Sequence, residues 1–129
     1  MAHPEQAVFC QSVKEKFPDR FKACTVLDIG SLDINGNNRW LFNNPVSYTG
    51  VDIGPGKNVD VVSKGHEFHP GMQYDIVIST ECFEHDQHWQ DTIKNCIALT
   101  RPGGLFLFSC ATTGRQEHGT SRTTPKDSP

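Results

Sequence analysis

The chain has 129 residues, 36% of them hydrophobic, with twelve Lys and Arg against fifteen Asp and Glu for a formal net charge of -3. A chain of this length makes one domain that buries about two thirds of its unfolded surface and needs no disulfide or metal staple, so two domains are excluded. No basic run exists to engage nucleic acid, the apolar run Leu105 to Phe108 is far short of a membrane span, and MAHPEQ lacks the blocks of a signal peptide; a cytoplasmic protein with neither nucleic-acid nor membrane partners is expected.

Phe9, Val13 and Phe17 recur at four-residue steps between Pro4 and Pro18, which predicts an amphipathic helix over 5–17 that leans on a sheet by that face. Thr25 to Ile29 reads as a strand ending on Gly30. A Gly- and Asn-rich loop follows, then a weak helical stretch around Trp40, Leu41 and Phe42 closed by Asn43-Asn44-Pro45. Ser47 to Val51 and Val59 to Val62 are β-branched runs, and Tyr74 to Ser79 is the clearest strand. A second helix carries Trp89, Ile93, Cys96 and Ile97 at helical spacing, with Asp86 as N-cap and Arg101-Pro102-Gly103-Gly104 as the stop; Leu105 to Ser109 is the fifth strand. Runs of continuous apolar character suit buried parallel strands. The strand, helix, strand order predicts a Rossmann-like α/β three-layer sandwich, its mainly parallel sheet of about five strands in the order 3-2-1-4-5. This domain takes residues 1–110. Ala111 to Pro129 contains no Val, Ile, Leu, Met, Phe, Tyr or Trp and is expected to be a polar tail. The five cysteines, Cys10, Cys24, Cys82, Cys96 and Cys110, are odd in number and widely spaced, which points to reduced thiols.

In an open parallel sheet a ligand binds beyond the carboxyl ends of the strands, where the strand order reverses. The segments there, Asp28 to Gly36, Asp52 to Gly54, Ser63 to His66 and Ser79 to Glu81, are all polar. Asp52 lies where a carboxylate can accept both hydroxyls of a ribose; a turn-forming Asp before Gly-Pro-Gly is the competing reading. A diphosphate would require a glycine where Leu32 stands, and Asp33 would repel it, so the loop selects a nucleoside without phosphates that carries positive charge. His66 and His69, like His85 and His88, are three apart beside Glu84 and Asp86, but no pair sits four apart on a helix face, and no metal is expected. Cys82, among Glu81, Glu84 and His85, has its thiolate disfavoured and reads as a lining residue.

The segments VLDIGSLDINGN, YTGVDIGPG, YDIVISTECFEH and LTRPGGLFLFS resemble, in order, the signature segments of class I S-adenosylmethionine-dependent methyltransferases, particularly the small-molecule "type 11" group, from about Cys24 to His118. The resemblance implies that the loop of Asp28, Ile29, Gly30, Ser31 and Asp33 wraps the methionine part of S-adenosylmethionine. It also implies that Asp52 holds the ribose, Ile53 packs on the adenine, Gly65 and His66 flank the adenine edge, and Ser79 and Thr80 close the pocket near the sulfonium. The product is then S-adenosylhomocysteine and the acceptor a small molecule. Many relatives carry an acid where this chain has Lys64, a donor-only side chain that cannot accept from the adenine amine. The seven-stranded sheet of the family is here reduced to five strands, so Leu105 to Ser109 is an apolar edge expected to be covered by a second copy in a homodimer or by the missing partner of a truncated fragment. Arg115, Glu117 and His118 resemble a segment that lies on the acceptor side in relatives. Three readings stand: an active methyltransferase, a catalytically silent cofactor-binding or interaction module, and a fragment of a longer methyltransferase. Methyl transfer from a sulfonium needs alignment more than a base, so no catalytic residue is assigned.

Overall fold

The computed structural model describes residues 4–33, 36–80 and 87–109. Five strands, β1 (Thr25–Ile29), β2 (Ser47–Asp52), β3 (Val61–Val62), β4 (Tyr74–Thr80) and β5 (Thr100–Ser109), form one all-parallel sheet in the order β3-β2-β1-β4-β5. Helix α1 (Pro4–Lys16) covers one face and α2 (Trp89–Leu99) the other, with 3-10 turns at Pro18–Phe21, Arg39–Leu41 and Gly65–Glu67. This is the Rossmann-like arrangement expected, strand order included.

Alternation along the strands splits the core in two. Val26, Ile76, Ile78 and Leu107 pack with Cys10 of α1 and with Phe21, Leu41 and Phe42. Leu27, Ile29, Val51 and Val77 pack with Phe68 and with Cys96 and Leu99 of α2. At roughly 1.5–3 kcal/mol for each fully buried aliphatic side chain, these layers outweigh the exposed ion pairs, each worth about 1 kcal/mol or less.

Both helices turn inward a face that only partly matches the one periodicity predicts. Phe9 on α1 and Phe17 just past its end are 41% and 46% exposed, while Gln6 and Cys10 are buried and Val13 partly so. The slender line of Gln6, Cys10 and Val13 lets the helix lie close to the sheet, whereas the phenylalanines would hold it away. On α2 the buried residues are Thr92, Cys96 and Leu99 with Ile93 beside them, and Trp89 and Ile97 are exposed. The helical stretch expected around Trp40 is a single 3-10 turn that buries Leu41 and leaves Trp40 half exposed.

β5 also starts earlier than expected, directly after α2. Tyr74 pairs with Thr100 and Ile76 with Leu105, so residues 101–104 bulge out opposite Asp75. The bulge is tied down at both ends. Arg101 pairs with Asp75, and Arg20 donates to the carbonyl of Gly103. Asp75 in turn accepts the Thr25 N–H at 2.8 Å and donates its own N–H to the Thr25 hydroxyl at 2.8 Å. The Thr25 N–H, and then Arg101, hold the Asp75 carboxyl below its usual range. Among the described residues β5 pairs with β4 alone, so its outer side is an edge of the sheet. Asp86, Cys82, Cys110, His85 and the segment 111–129 lie outside the described residues. No helix among those described is long and apolar enough to cross a membrane.

Candidate functional site

The chain lays down β1, β2 and β3 outward and then returns to place β4 on the other side of β1, so the strand order reverses between β1 and β4. Asp28 and Thr80, at the ends of those two strands, point to the α1 face and are bridged by Asn38. Its amide donates to Thr80 Oγ1 at 3.1 Å and, weakly, to Asp28 Oδ2 at 3.5 Å. Ser79, one residue away, has the opposite orientation and donates to the Ile29 carbonyl at 2.8 Å, bracing β4 against β1. The two hydroxyls therefore do not form one wall.

Asp28 is the most unusual group in this region. It is 1% exposed, and its Oδ2 accepts the Tyr48 hydroxyl at 2.5 Å. Its Oδ1 is buried with no hydrogen-bond partner among the described residues. Burial pushes its pKa up to about 6, against the opposing pull of the Tyr48 hydrogen bond first, then the N-terminal charge, the Asn38 hydrogen bond and the Arg39 charge. The carboxylate also acts on α1: the Cys10 thiol is pushed up to about 11, first by burial and then by the charge of Asp28. Tyr48 is gripped on two sides, by Phe42 edge-on with ring centroids 5.8 Å apart and by the Arg39 guanidinium 4.2 Å from its ring centre.

The loop after β1 is stitched to β2 and to the β2–β3 connection. Gly30, at φ 79, takes a conformation that L side chains rarely adopt. The N–H groups of Gly30 and Ser31 both reach the Val51 carbonyl, at 2.7 and 3.1 Å. The Ser31 hydroxyl donates to the Asn58 carbonyl at 2.6 Å, and the Asn58 amide returns a bond to the Ser31 carbonyl at 2.9 Å. Asp33 is engaged by its own loop: its carboxylate accepts from the Gly36 N–H at 2.7 Å and the Asn37 amide at 2.8 Å, with the Lys57 ammonium at 3.6 Å. These contacts, the Asn37 bond first, hold its pKa below the usual range. That leaves Asp28, not Asp33, as the carboxylate here with an unmet acceptor.

Asp52 closes the other side of the loop. One oxygen accepts the Leu32 N–H at 3.0 Å and the other the Gly54 N–H at 3.2 Å. The turn-forming reading is thus realised, and each oxygen keeps a lone pair for a further donor. Ile53 beside it is 55% exposed.

The turn Gly65–Glu67 is pressed against α2. A Cβ at Gly65 would lie 2.7 Å from Thr92 Cγ2 and 3.1 Å from Ile29 Cγ2, so packing alone requires glycine there. Asn95 donates to the carbonyls of Gly65 and Phe68 at 2.7 and 2.9 Å. Gly65→Ala is expected to lower stability by about 1–3 kcal/mol in urea unfolding, and adding Thr92→Ser, which removes the obstructing methyl, should recover most of that loss. His66 lies beside His88 with ring centroids 4.4 Å apart. Its Nε2 is 3.9 Å from Glu67 Oε2, and its Nδ1 is buried without a hydrogen-bond partner among the described residues. Lys64 is exposed. No group of three or more His, Cys, Asp or Glu side chains that could hold a metal occurs among the described residues.

Sequence reasoning placed Asp28 and Asp52 at the strand ends but missed Tyr48, Asn38 and Asn58. Strand alternation carried part of the signal, since residues 48, 50 and 52 share a face. The rest depends on register, which puts Tyr48 beside Val26, within reach of Asp28.

A family model described as a methyltransferase domain matches residues 1–122. With its all-parallel sheet in the order 3-2-1-4-5, the chain belongs to that family and is a class I S-adenosylmethionine-dependent methyltransferase-like domain. A search of curated proteins finds no match.

Proposed function

We propose that the protein binds S-adenosylmethionine across the carboxyl ends of β1, β2 and β4 and transfers its methyl group to a small-molecule acceptor, releasing S-adenosylhomocysteine. The observation that carries this reading is Asp28 Oδ1, a buried carboxylate oxygen beside the reversal of strand order with no donor to satisfy it among the described residues. A buried anion without a partner is costly, and a cationic ligand removes the cost. A phosphate-bearing ligand would meet Asp28, Asp33 and Asp52 together and be repelled.

The residues fit the parts of the cofactor in turn. Asp28 would take the ammonium of the methionine portion, the remaining lone pairs of Asp52 the ribose hydroxyls, and the exposed face of Ile53 the adenine ring. His66 Nδ1 would serve the adenine edge, in place of the acid whose position Lys64 occupies. Ser79 and Thr80 brace the floor. When bound, S-adenosylmethionine supplies a methyl group on a positively charged sulfur, already activated for displacement by a lone pair of the acceptor. The contribution of the protein is then to align the two and exclude water.

A thermal-shift titration with S-adenosylhomocysteine, followed by a methyl-transfer assay over a panel of small acceptors, tests the reading. Ligand at a hundred times its dissociation constant should add about 2.7 kcal/mol, several degrees for a domain this size. A folded protein with no shift at millimolar ligand would sink the proposal. Binding without turnover on any acceptor would favour the silent module.

A further inference from the structure

Among the described residues Asp28 meets two side-chain donors, and both use the same oxygen: the Tyr48 hydroxyl at 2.5 Å and the Asn38 amide at 3.5 Å, each to Oδ2. Tyr48 is itself immobilised. Phe42 and the Arg39 guanidinium hold its ring, and Arg39 Nε donates to Asn58 Oδ1 at 2.6 Å, which joins it to the residue that clasps Ser31. Asn38 is anchored in the same way by its bond to Thr80. A carboxylate gripped through one oxygen by two fixed donors cannot rotate, and its other oxygen has a set direction.

We infer that Tyr48 is a positioning residue for the cofactor: by donating to Oδ2 it fixes the plane of the Asp28 carboxylate and holds Oδ1 in one direction as an ionised acceptor for the ammonium of the ligand. This rests on the reading under Proposed function and adds to it a residue outside the signature segments' expected contacts. The titratable and charged groups that act on Asp28 are Tyr48 on β2, Arg39 in the turn after the loop, Cys10 on α1 and the N-terminal amine. Arg39 keeps its charge, and the N-terminal amine keeps most of its own below about pH 7. Burial first, and then Asp28, raise the pKa of Tyr48, and the same two causes raise that of Cys10, so both stay neutral. Ionisation of Asp28 is therefore the event that a pH change reads. A hydrogen bond to the charged form favours that form, so losing the Tyr48 hydroxyl should make the carboxylate harder to ionise.

The test is calorimetric binding of S-adenosylhomocysteine to the wild type and to Tyr48→Phe, from about pH 5 to about pH 8, with methylthioadenosine in parallel. Methylthioadenosine shares the adenine, the ribose and the thioether but lacks the ammonium. For the wild type, S-adenosylhomocysteine affinity should fall roughly tenfold for each pH unit below a midpoint of about 6. Tyr48→Phe should move the midpoint upward by on the order of one unit, recover only partly at the alkaline end, where the carboxylate is charged but no longer held in plane, and leave methylthioadenosine binding unchanged. An unmoved midpoint, or equal weakening for both ligands at every pH, is what a merely structural Tyr48 gives and overturns the inference. If Tyr48→Phe does not fold, Asn38→Ala makes the same comparison through the longer bond. It should move the midpoint in the same direction by less, and no movement overturns the inference equally. Absence of S-adenosylhomocysteine binding to folded wild-type protein defeats the underlying reading instead, so the two failures are distinct.

Discussion

At pH 8, Asp28→Asn is expected to melt several degrees above the wild type and to bind S-adenosylhomocysteine roughly 10- to 100-fold more weakly. The two effects share one cause. In the unfolded chain this carboxyl titrates near 3.8 and in the folded one at about 6, so between those values the folded state holds the extra proton. Stability from this group is full below about pH 4 and is lost as pH rises through about 6, a total of about 3 kcal/mol at 1.36 kcal/mol per unit. Asparagine has no charge to bury and keeps an acceptor for Tyr48, while its extra amide hydrogens cost about 1 kcal/mol, leaving a net gain of about 2 kcal/mol. Melting curves at several pH values check this. The advantage of the variant should fall to about a third near pH 5, vanish near about pH 4.5 and become a deficit of up to about 1 kcal/mol at lower pH. Binding moves the other way because the ammonium loses a charged acceptor. A variant that is destabilised at pH 8, or that binds as tightly as the wild type, contradicts the role given to Oδ1.

Asp52→Ala should weaken S-adenosylhomocysteine binding on the order of a hundredfold, from about 3 kcal/mol for two charge-assisted bonds to the ribose. It also strips the acceptors from the Leu32 and Gly54 N–H groups, so a modest fall in melting temperature accompanies the loss. Asp52→Asn retains one acceptor oxygen and should bind with intermediate affinity. Isothermal titration of the three proteins separates the ribose role from the turn-forming one. If Ala and Asn lose stability but keep affinity within about threefold, Asp52 only shapes the turn.

The strands were legible because β-branched and apolar runs ending in Gly, Asp or Ser have few other uses, and parallel order follows from the crossovers between them. The helix faces were not. Phe9 and Phe17 outrank Gln6 and Cys10 in hydrophobicity, yet the sheet end beneath α1 carries Asp28, and a slender, partly polar face fits there while phenyl rings do not. Asp28 and Asp52 could be found from position alone, whereas Tyr48 and Asn38 reach Asp28 only through strand register and the path of the loop, which no local pattern encodes. At Gly65 the residue was legible and its reason was not: the glycine answers to the methyl of Thr92, 27 positions away in the chain.

The most direct measurement is a crystal structure with S-adenosylhomocysteine bound. The ligand ammonium should lie within hydrogen-bond distance of Asp28 Oδ1 and the ribose hydroxyls on Asp52. A cleft that stays vacant at saturating ligand, or a ligand seated with its amino-acid end away from Asp28, would contradict it.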